Sequence, residues 1–130
     1  MSLNVLIVDD SSVMRLIIKR ALSMSGFEFG EMIEAANGQE GLDALAAHWV
    51  DFALVDINMP VMNGEEMIQR LRATPALANL PVIVVSTEGS LTRIERLEQQ
   101  GVRFVHKPFT PEIIREIIKE ITGICHEPAT

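Results

Sequence analysis

Five side chains able to bind a divalent cation or to stabilise an anionic group come directly after short apolar segments of the sequence. They are Asp9 and Asp10 after the first segment, Asp56 after the third, Ser86 after the fourth and Lys107 after the fifth. Carboxylate oxygens are the ligands that hard cations prefer, whereas a hydroxyl and an amine supply a hydrogen-bond donor and a positive charge. Three acids brought close together repel one another, and a cation usually offsets this cost. If folding gathers these residues, the sequence predicts a metal site, and oxygen-only ligation indicates magnesium.

The five apolar segments have the composition of β-strands, because they are rich in β-branched and other apolar residues. They are Val5–Val8, Met32–Ala35, Phe52–Val55, Val82–Val85 and Arg103–His106. Three of them are continuously apolar, which is typical of strands in a parallel sheet that is covered on both faces. The fifth is the most mixed.

Segments with helical spacing separate these strands. In the first helix, an apolar stripe that ends at Gly26 is formed by Val13, Leu16, Ile17, Ala21 and Met24. In the last helix, Thr110 is predicted to be the N-cap, with Pro111 at the first helical position. The buried side of that helix is predicted to consist of Ile113, Ile114, Ile117, Ile118 and Ile121.

Capping residues mark the middle helices. Asn37 with Glu40 resembles a capping pair that opens the second helix, and Thr92 with Glu95 fits a capping box for the fourth. The third helix is predicted over Gly64–Ala73. Its glycine suggests either a positive φ or a close approach of two backbone segments, and an ordinary turn is the alternative.

Strands that alternate with helices indicate a doubly wound α/β domain of flavodoxin-like type, with a five-stranded parallel sheet, five helices and right-handed crossovers. In such folds the functional site lies at the carboxyl ends of the strands, where all five chemistry-bearing residues are expected. We predict one domain over residues 1–122 and a C-terminal tail over residues 123–130, which contains Gly123 and Pro128.

Each of these residues also has an ordinary structural explanation when it is taken alone. Asp9 or Asp10 could cap the first helix, and Ser86 or Lys107 could be loop residues. The joint occurrence of three acids, a hydroxyl and an amine at successive strand ends favours a functional site.

Composition excludes several classes of protein. The chain has 130 residues, of which 48% are hydrophobic and 22% charged, as in a folded domain. A net charge of −7 argues against direct binding to nucleic acid or to anionic lipid. Neither a membrane span nor a secretory signal is visible, so a cytoplasmic location is expected. Cys125 is interpreted as an incidental thiol, and the histidines lack metal-ligand spacing.

Three motifs of the chain are similar to those of response-regulator receiver domains of two-component signalling, the CheY-like family. The motifs are VDDS at Val8–Ser11, VDINMPVMNG at Val55–Gly64 and HKPF at His106–Phe109. The resemblance covers nearly the whole chain and implies the strand order 2-1-3-4-5.

The resemblance implies that Asp56 is the phosphoacceptor. It also implies that Mg²⁺ is held by Asp10, Asp56 and the main-chain carbonyl of Asn58, with Asp9 assisting through water. Attack of a carboxylate on a phosphohistidine or an acyl phosphate spreads charge over the peripheral phosphoryl oxygens. The metal, the Lys107 ammonium and the Ser86 hydroxyl would each take one of these oxygens.

Further roles follow from the same resemblance. The bond before Pro108 would be cis, which would direct Lys107 into the pocket, and a helix-initiating turn is the alternative. Ser86 would move towards the phosphoryl group, and Phe104 would turn into the space that it leaves. The alternative for Phe104 is a plain core residue. The output surface would be the fourth helix, fifth strand and fifth helix.

Three positions at the edge of the pocket bear on the lifetime of the phosphoryl group. Asn58 and Glu88 form the pair found in fast-hydrolysing chemotaxis receivers, whereas Thr87 is bulkier than the usual alanine and could obstruct water. The two indications conflict.

The expected partners are a sensor histidine kinase or phosphotransfer protein as donor and an unidentified protein that reads the output surface. The chain is interpreted as a stand-alone chemotaxis-type regulator, a monomer or a phosphorylation-dependent dimer, that catalyses only its own phosphorylation and dephosphorylation. The alternative is the receiver portion of a larger regulator or hybrid kinase. A phosphatase of the haloacid-dehalogenase type is disfavoured, because Asn58 stands where a general acid is needed. A flavodoxin is disfavoured because Asp9 and Asp10 would repel the flavin phosphate.

Overall fold

The strands form one parallel sheet at the centre of the molecule. The structure is a computed structural model, and it describes residues 2–57, 59, 61–86, 91–106 and 110–122. The strands are β1 Leu3–Val8, β2 Phe29–Ala35, β3 Phe52–Val55, β4 Val82–Ser86 and β5 Arg103–His106. Their order is β2-β1-β3-β4-β5, and every neighbouring pair is parallel. The predicted fold class and strand order are confirmed.

Five α-helices connect the strands or follow them. They are α1 Ser12–Ser23, α2 Gly38–Ala47, α3 Gly64–Arg72, α4 Leu91–Glu98 and α5 Pro111–Thr122, with a short 3-10 helix at Pro75–Leu77. The cap predicted at Asn37 is confirmed, since its side chain accepts from the Glu40 amide at 2.9 Å. The cap at Thr110 is confirmed as well. The capping box predicted at Thr92 is wrong, because α4 begins one residue earlier and Thr92 lies inside it.

The sheet separates two apolar layers because successive side chains of a strand point to opposite faces. One layer contains α1 and α5 and includes Ile7 and Leu54 from the central strands. The other contains α2, α3 and α4 and includes Val8 and Val55. The two central strands β1 and β3 are thus covered on both sides, which explains their nearly continuous apolar sequence.

The apolar stripe predicted for α1 does not coincide with the side that packs on the sheet. The buried residues of this helix are Ile18, Ala21 and Leu22. The exposed members of the stripe are Val13, Leu16, Ile17 and Met24. Ile113 of α5 is also exposed, whereas Ile114, Ile117 and Ile118 are buried as predicted. Both helices carry apolar residues on more than one side, so periodicity alone did not identify the core face.

None of the helices in the described part of the chain has the length and apolar character that a bilayer crossing demands.

Arg72, the last residue of α3, ties together the loops at the amino-terminal edge of the sheet. Its Nε donates to the Gln100 carbonyl at 2.9 Å, and its Nη1 donates to the carbonyls of Ala78 at 3.1 Å and Leu80 at 2.7 Å. Burial lowers the pKa of the Arg72 guanidinium, which nevertheless remains protonated at neutral pH. One side chain therefore connects α3 to the segments that precede β4 and β5.

We expect Arg72→Met to lower the free energy of unfolding by about 2 kcal/mol, because partly buried carbonyls would lose a charged donor. Urea denaturation measures this change. Arg70→Met is the matched control, since Arg70 is exposed on the same helix and its removal should change the stability little. Equal losses for both variants would contradict the role given to Arg72.

Candidate functional site

Three carboxylates meet at the carboxyl edge of the sheet. Asp9 and Asp10 follow β1, and Asp56 follows β3. One carboxylate oxygen from each residue lies within 4.8 Å of those of the other two. Asp9 and Asp56 are buried, whereas Asp10 is exposed. The described residues thus contain an acidic cluster, open to solvent beside Asp10, that could hold a metal ion.

The backbone around Asp9 fixes the position of its carboxylate. The Asp9 amide donates to the Ala35 carbonyl at 3.0 Å, which extends the pairing of β1 with β2. The Asp9 side chain accepts from the Ser11 amide at 2.9 Å. Ser11 is the N-cap of α1, since its hydroxyl accepts from the Met14 amide at 3.1 Å. Neither aspartate caps this helix, and the capping alternative for Asp9 and Asp10 is therefore wrong.

Asp56 is held from two directions. Its amide donates to the Val8 carbonyl at 2.9 Å, which continues the pairing of β3 with β1 beyond the strand. On the other side, the Gly64 amide donates to the Ile57 carbonyl at 2.8 Å. A Cβ atom at Gly64 would lie 2.2 Å from the carbonyl oxygen of Asp56. The predicted close approach at Gly64 is confirmed, and its φ is not positive.

We expect Gly64→Ala to displace the Asp56 backbone, because real Cβ atoms essentially never lie as close as 2.2 Å to a carbonyl oxygen. The unfolding free energy should fall by about 1 to 3 kcal/mol, and the chemical shifts of Asp56 should change in NMR spectra. Gly41→Ala is the control, since its Cβ would meet the flexible end of Met67 at 2.8 Å. A Gly64→Ala variant that is no more perturbed than Gly41→Ala would contradict this assignment.

Ser86 lies at the same edge of the sheet. Val55 of β3 pairs with Val84 of β4. Asp56 comes one residue after Val55, and Ser86 comes two residues after Val84. Ser86 is buried and pairs with His106 of β5. The structure therefore places a buried hydroxyl near the acidic cluster.

Phe104 shares a face of the sheet with Ser86. Phe104 pairs with Val84, two residues before Ser86, and it packs against the layer of α2, α3 and α4. Its ring is half-buried and contacts the His106 ring edge to face, with centroids 4.9 Å apart.

The remaining candidate residues lie outside the described residues. They are Asn58, Thr87, Glu88, Lys107 and Pro108. Their assigned roles therefore stay predictions, as does the extent of the tail over 123–130.

Sequence reasoning missed an ionic cluster beside Asp9. Arg15 of α1 donates through Nη1 to the Asp9 carbonyl at 2.5 Å and through Nε to Glu34 of β2 at 2.9 Å. Lys19 also donates to Glu34, at 3.1 Å. The hydrogen bond from Arg15, and after it the bond from Lys19, holds the pKa of the Glu34 carboxyl below its usual range. The four-residue spacing of Arg15 and Lys19 places both on one side of α1, but nothing in the sequence identified β2 as the neighbour.

Comparisons with known proteins agree on one family. The sequence model of the response regulator receiver domain matches residues 5–119. A chemotaxis protein CheY homolog from Campylobacter jejuni is 37% identical over 123 residues, which cover 93% of each chain. The chemotaxis protein CheY of Pseudomonas aeruginosa is 39% identical over 120 residues, 92% of this chain and 95% of that protein.

Among solved structures, the chemotaxis protein CheY4 of Vibrio cholerae is similar over 93% of this chain and 99% of its own. The TM-score is 0.81 and the sequence identity 29%. The likeness thus extends through both the sheet and the helices that cover it.

Proposed function

Because the chain belongs to the response regulator receiver domain family, we propose that it is a switch that accepts a phosphoryl group on Asp56. The observation that carries the proposal is the convergence of Asp9, Asp10 and Asp56 at the carboxyl edge of the sheet. Asp56 is the member that directly follows β3, the strand between β1 and β4, and Ser86 ends the neighbouring strand β4. A phosphoryl group on Asp56 would thus reach both the acids and a buried hydroxyl.

In the proposed reaction, a carboxylate oxygen of Asp56 attacks the phosphorus of a phosphohistidine or an acyl phosphate. The new O–P bond forms as the P–N or P–O bond to the donor breaks, and the leaving group keeps that electron pair. The Ser86 hydroxyl can donate to a peripheral phosphoryl oxygen, and Lys107 is proposed to supply an ammonium to another. Water later attacks the phosphorus, the O–P bond to Asp56 breaks with its electron pair staying on the carboxylate, and the phosphoryl group leaves as inorganic phosphate with the proton of the water passing to phosphate or solvent. The chain would catalyse no reaction beyond this cycle.

The donor set of the acidic cluster fits Mg²⁺. The ligands are oxygens, two of the acids are buried, and the exposed Asp10 leaves room for water, which Mg²⁺ keeps in its coordination shell. Asp10, Asp56 and the carbonyl of Asn58 would hold the ion, with Asp9 assisting through water. When bound, Mg²⁺ would neutralise charge that develops on the phosphoryl oxygens.

We expect the protein to gain one phosphoryl group when it is incubated with Mg²⁺ and acetyl phosphate, and Asp56→Ala to gain none. Intact-protein mass spectrometry measures the change. Asp43→Ala, in which an exposed acid of α2 is removed, is the control and should be modified like the wild type. An equal gain in mass for the wild type and Asp56→Ala would refute the assignment of Asp56.

The positions of Ser86 and Phe104 support a route from the acceptor to the surface. Both side chains face the layer that contains α4. Movement of the Ser86 hydroxyl towards a phosphoryl group on Asp56 would open space on that face, and the half-buried Phe104 ring could turn inward to fill it. Phosphorylation would thereby shift an existing equilibrium between two surfaces.

The attachment of α4 suits a movable element. Leu97 anchors this helix in the core, and its outer side is held by ion pairs to Glu65 of α3. Arg96 Nη2 lies 3.1 Å and Arg93 Nε 3.9 Å from Glu65 oxygens. The Arg96 side chain is 59% exposed, and ion pairs of exposed side chains contribute only about 0 to 1 kcal/mol. The distance of 3.9 Å between Arg93 and Glu65 is long for an ion pair. A modest change at β4 and β5 could therefore shift α4 and alter the proposed output surface of α4, β5 and α5.

We expect beryllium fluoride with Mg²⁺, which imitates the phosphoryl group, to move the Phe104 ring from half-buried to buried. Fluorine NMR of protein labelled with fluorophenylalanine would show a smaller solvent isotope shift at Phe104. Phe52 is fully buried in the described structure and is the internal control. If the Phe104 signal stays unchanged when beryllium fluoride binds at Asp56, Phe104 would be a plain core residue and not part of a switch.

We propose that protein partners bind at two places, the outer side of α1 and the output surface of α4, β5 and α5. The exposed apolar residues of α1, among them Val13 and Leu16, lie in the helix that begins beside the acidic cluster and give a donor protein a surface to contact. A sensor histidine kinase or a phosphotransfer protein would supply the phosphoryl group. Since the relatives named above are chemotaxis proteins, we propose that the output is a chemotaxis-type protein contact.

A further inference from the structure

Arg15 is the side chain that links the metal-binding turn to the edge of the sheet. It stands in the first turns of α1, and its side chain is only 16% exposed. Two separate nitrogens of its guanidinium are used, Nη1 on the Asp9 carbonyl at 2.5 Å and Nε on Glu34 at 2.9 Å. The planar guanidinium fixes the direction of both bonds at once. Arg15 therefore bridges β2 and the carbonyl that immediately precedes Asp10.

The Asp9 carbonyl is a sensitive place for such a bridge. The peptide that joins Asp9 to Asp10 is planar, so the orientation of the Asp9 carbonyl also sets the direction in which the chain enters Asp10. Asp10 is exposed and directly follows the buried Asp9. A charge-assisted bond to this carbonyl thus restricts the one acid of the cluster that packing does not hold.

Glu34 serves as the anchor for Arg15. It stands on β2 at the position paired with Ile7 of β1, so its backbone is fixed by the sheet. Lys19 binds the other Glu34 oxygen, at 3.1 Å. Arg15 and Lys19 therefore both bind Glu34. Arg15 also binds the Asp9 carbonyl, a contact not described for Lys19.

Resting on the function proposed above, we infer that Arg15 is a positioning residue for the Mg²⁺ site, which it pre-orients through the Asp9 carbonyl with Glu34 as its anchor. In this role Arg15 would act through the Asp9 carbonyl and would not itself be a ligand of the ion. Groups that orient metal ligands typically change metal affinity about 10- to 100-fold when they are removed. If Arg15 only fastened α1 to β2, Arg15 and Lys19 would be equivalent.

The comparison of Arg15→Met with Lys19→Met separates these two roles. Isothermal titration calorimetry with MgCl₂ should give a dissociation constant about tenfold weaker for Arg15→Met and unchanged for Lys19→Met. Glu34→Gln should fall between them, since it loosens the anchor and leaves the Asp9 bond possible. Arg15→Lys should remain weakened, because one ammonium cannot reproduce the two fixed bonds of the guanidinium. Equal Mg²⁺ affinities for Arg15→Met and Lys19→Met, or full recovery in Arg15→Lys, would overturn the inference.

A second measurement needs no metal. In Mg²⁺-free protein, the Ser11 amide donates to Asp9, and its hydrogen exchange should be faster in Arg15→Met than in Lys19→Met. The unfolding free energy should fall more for Arg15→Met than for Lys19→Met, since Arg15→Met loses the bond to the Asp9 carbonyl as well as the ion pair to Glu34. The exchange of amides in the middle of β1 reports this global loss, and the Ser11 amide should exchange faster than that loss alone explains. Faster Ser11 exchange in both variants alike would indicate a purely structural role and reject the inference.

The experiment also separates the inference from the proposed function. A wild type that binds no Mg²⁺ and gains no phosphoryl group would refute the proposed function itself. A wild type that binds Mg²⁺ normally, with an Arg15→Met variant that binds it equally well, would refute only the role of Arg15.

Discussion

The proximity of two buried carboxylates is the constraint on which the rest of the molecule depends. Oxygens of Asp9 and Asp56 lie within 4.8 Å of each other although both residues are buried. At an effective dielectric constant near 20, two full charges at this distance repel by about 3 to 4 kcal/mol before hydrogen bonds and neighbouring charges offset part of this cost. A domain of this size is stable by only about 5 to 15 kcal/mol in total. The scaffold must therefore hold the two acids together against a cost that a bound cation would remove.

The fold meets this constraint mainly with backbone hydrogen bonds. The amides of Asp9 and Asp56 continue the sheet pairing past the ends of β1 and β3, so the backbone of both acids is held by the sheet. Gly64 then packs directly on the Asp56 carbonyl. Apolar layers on both faces of the sheet keep these strands in place. The positions of the two acids are thus set by sheet hydrogen bonds, by the packing of Gly64 and by the apolar layers.

The sequence predicted the sheet and the acidic cluster well because both follow from simple patterns. Buried parallel strands are apolar along their whole length, and the residues that end them must share one edge. The strand order itself came from the family resemblance and not from the patterns. The core face of α1 was not predictable in this way. The exposed Val13 and Leu16 are three residues apart and the buried Ile18 and Leu22 four apart, and both spacings are typical of one side of a helix. The bridge from Arg15 to Glu34 joins residues 19 positions apart, and its existence depends on how α1 lies over β2.

The division of the helices between the two faces of the sheet has a mechanical consequence. Ser86 and Phe104 face the side of α4, whereas α5 packs with α1 on the opposite side. A protein that contacts the edge strand β5 from both faces would touch the α4 side, which the proposed switch would displace, and the α5 side, which lies on the opposite face of the sheet. In the proposed switch, such a partner would detect a displacement of α4 relative to α5. Its discrimination would then depend on contacts on the α4 side. A substituted contact residue on the α5 side would weaken binding to both states by similar amounts.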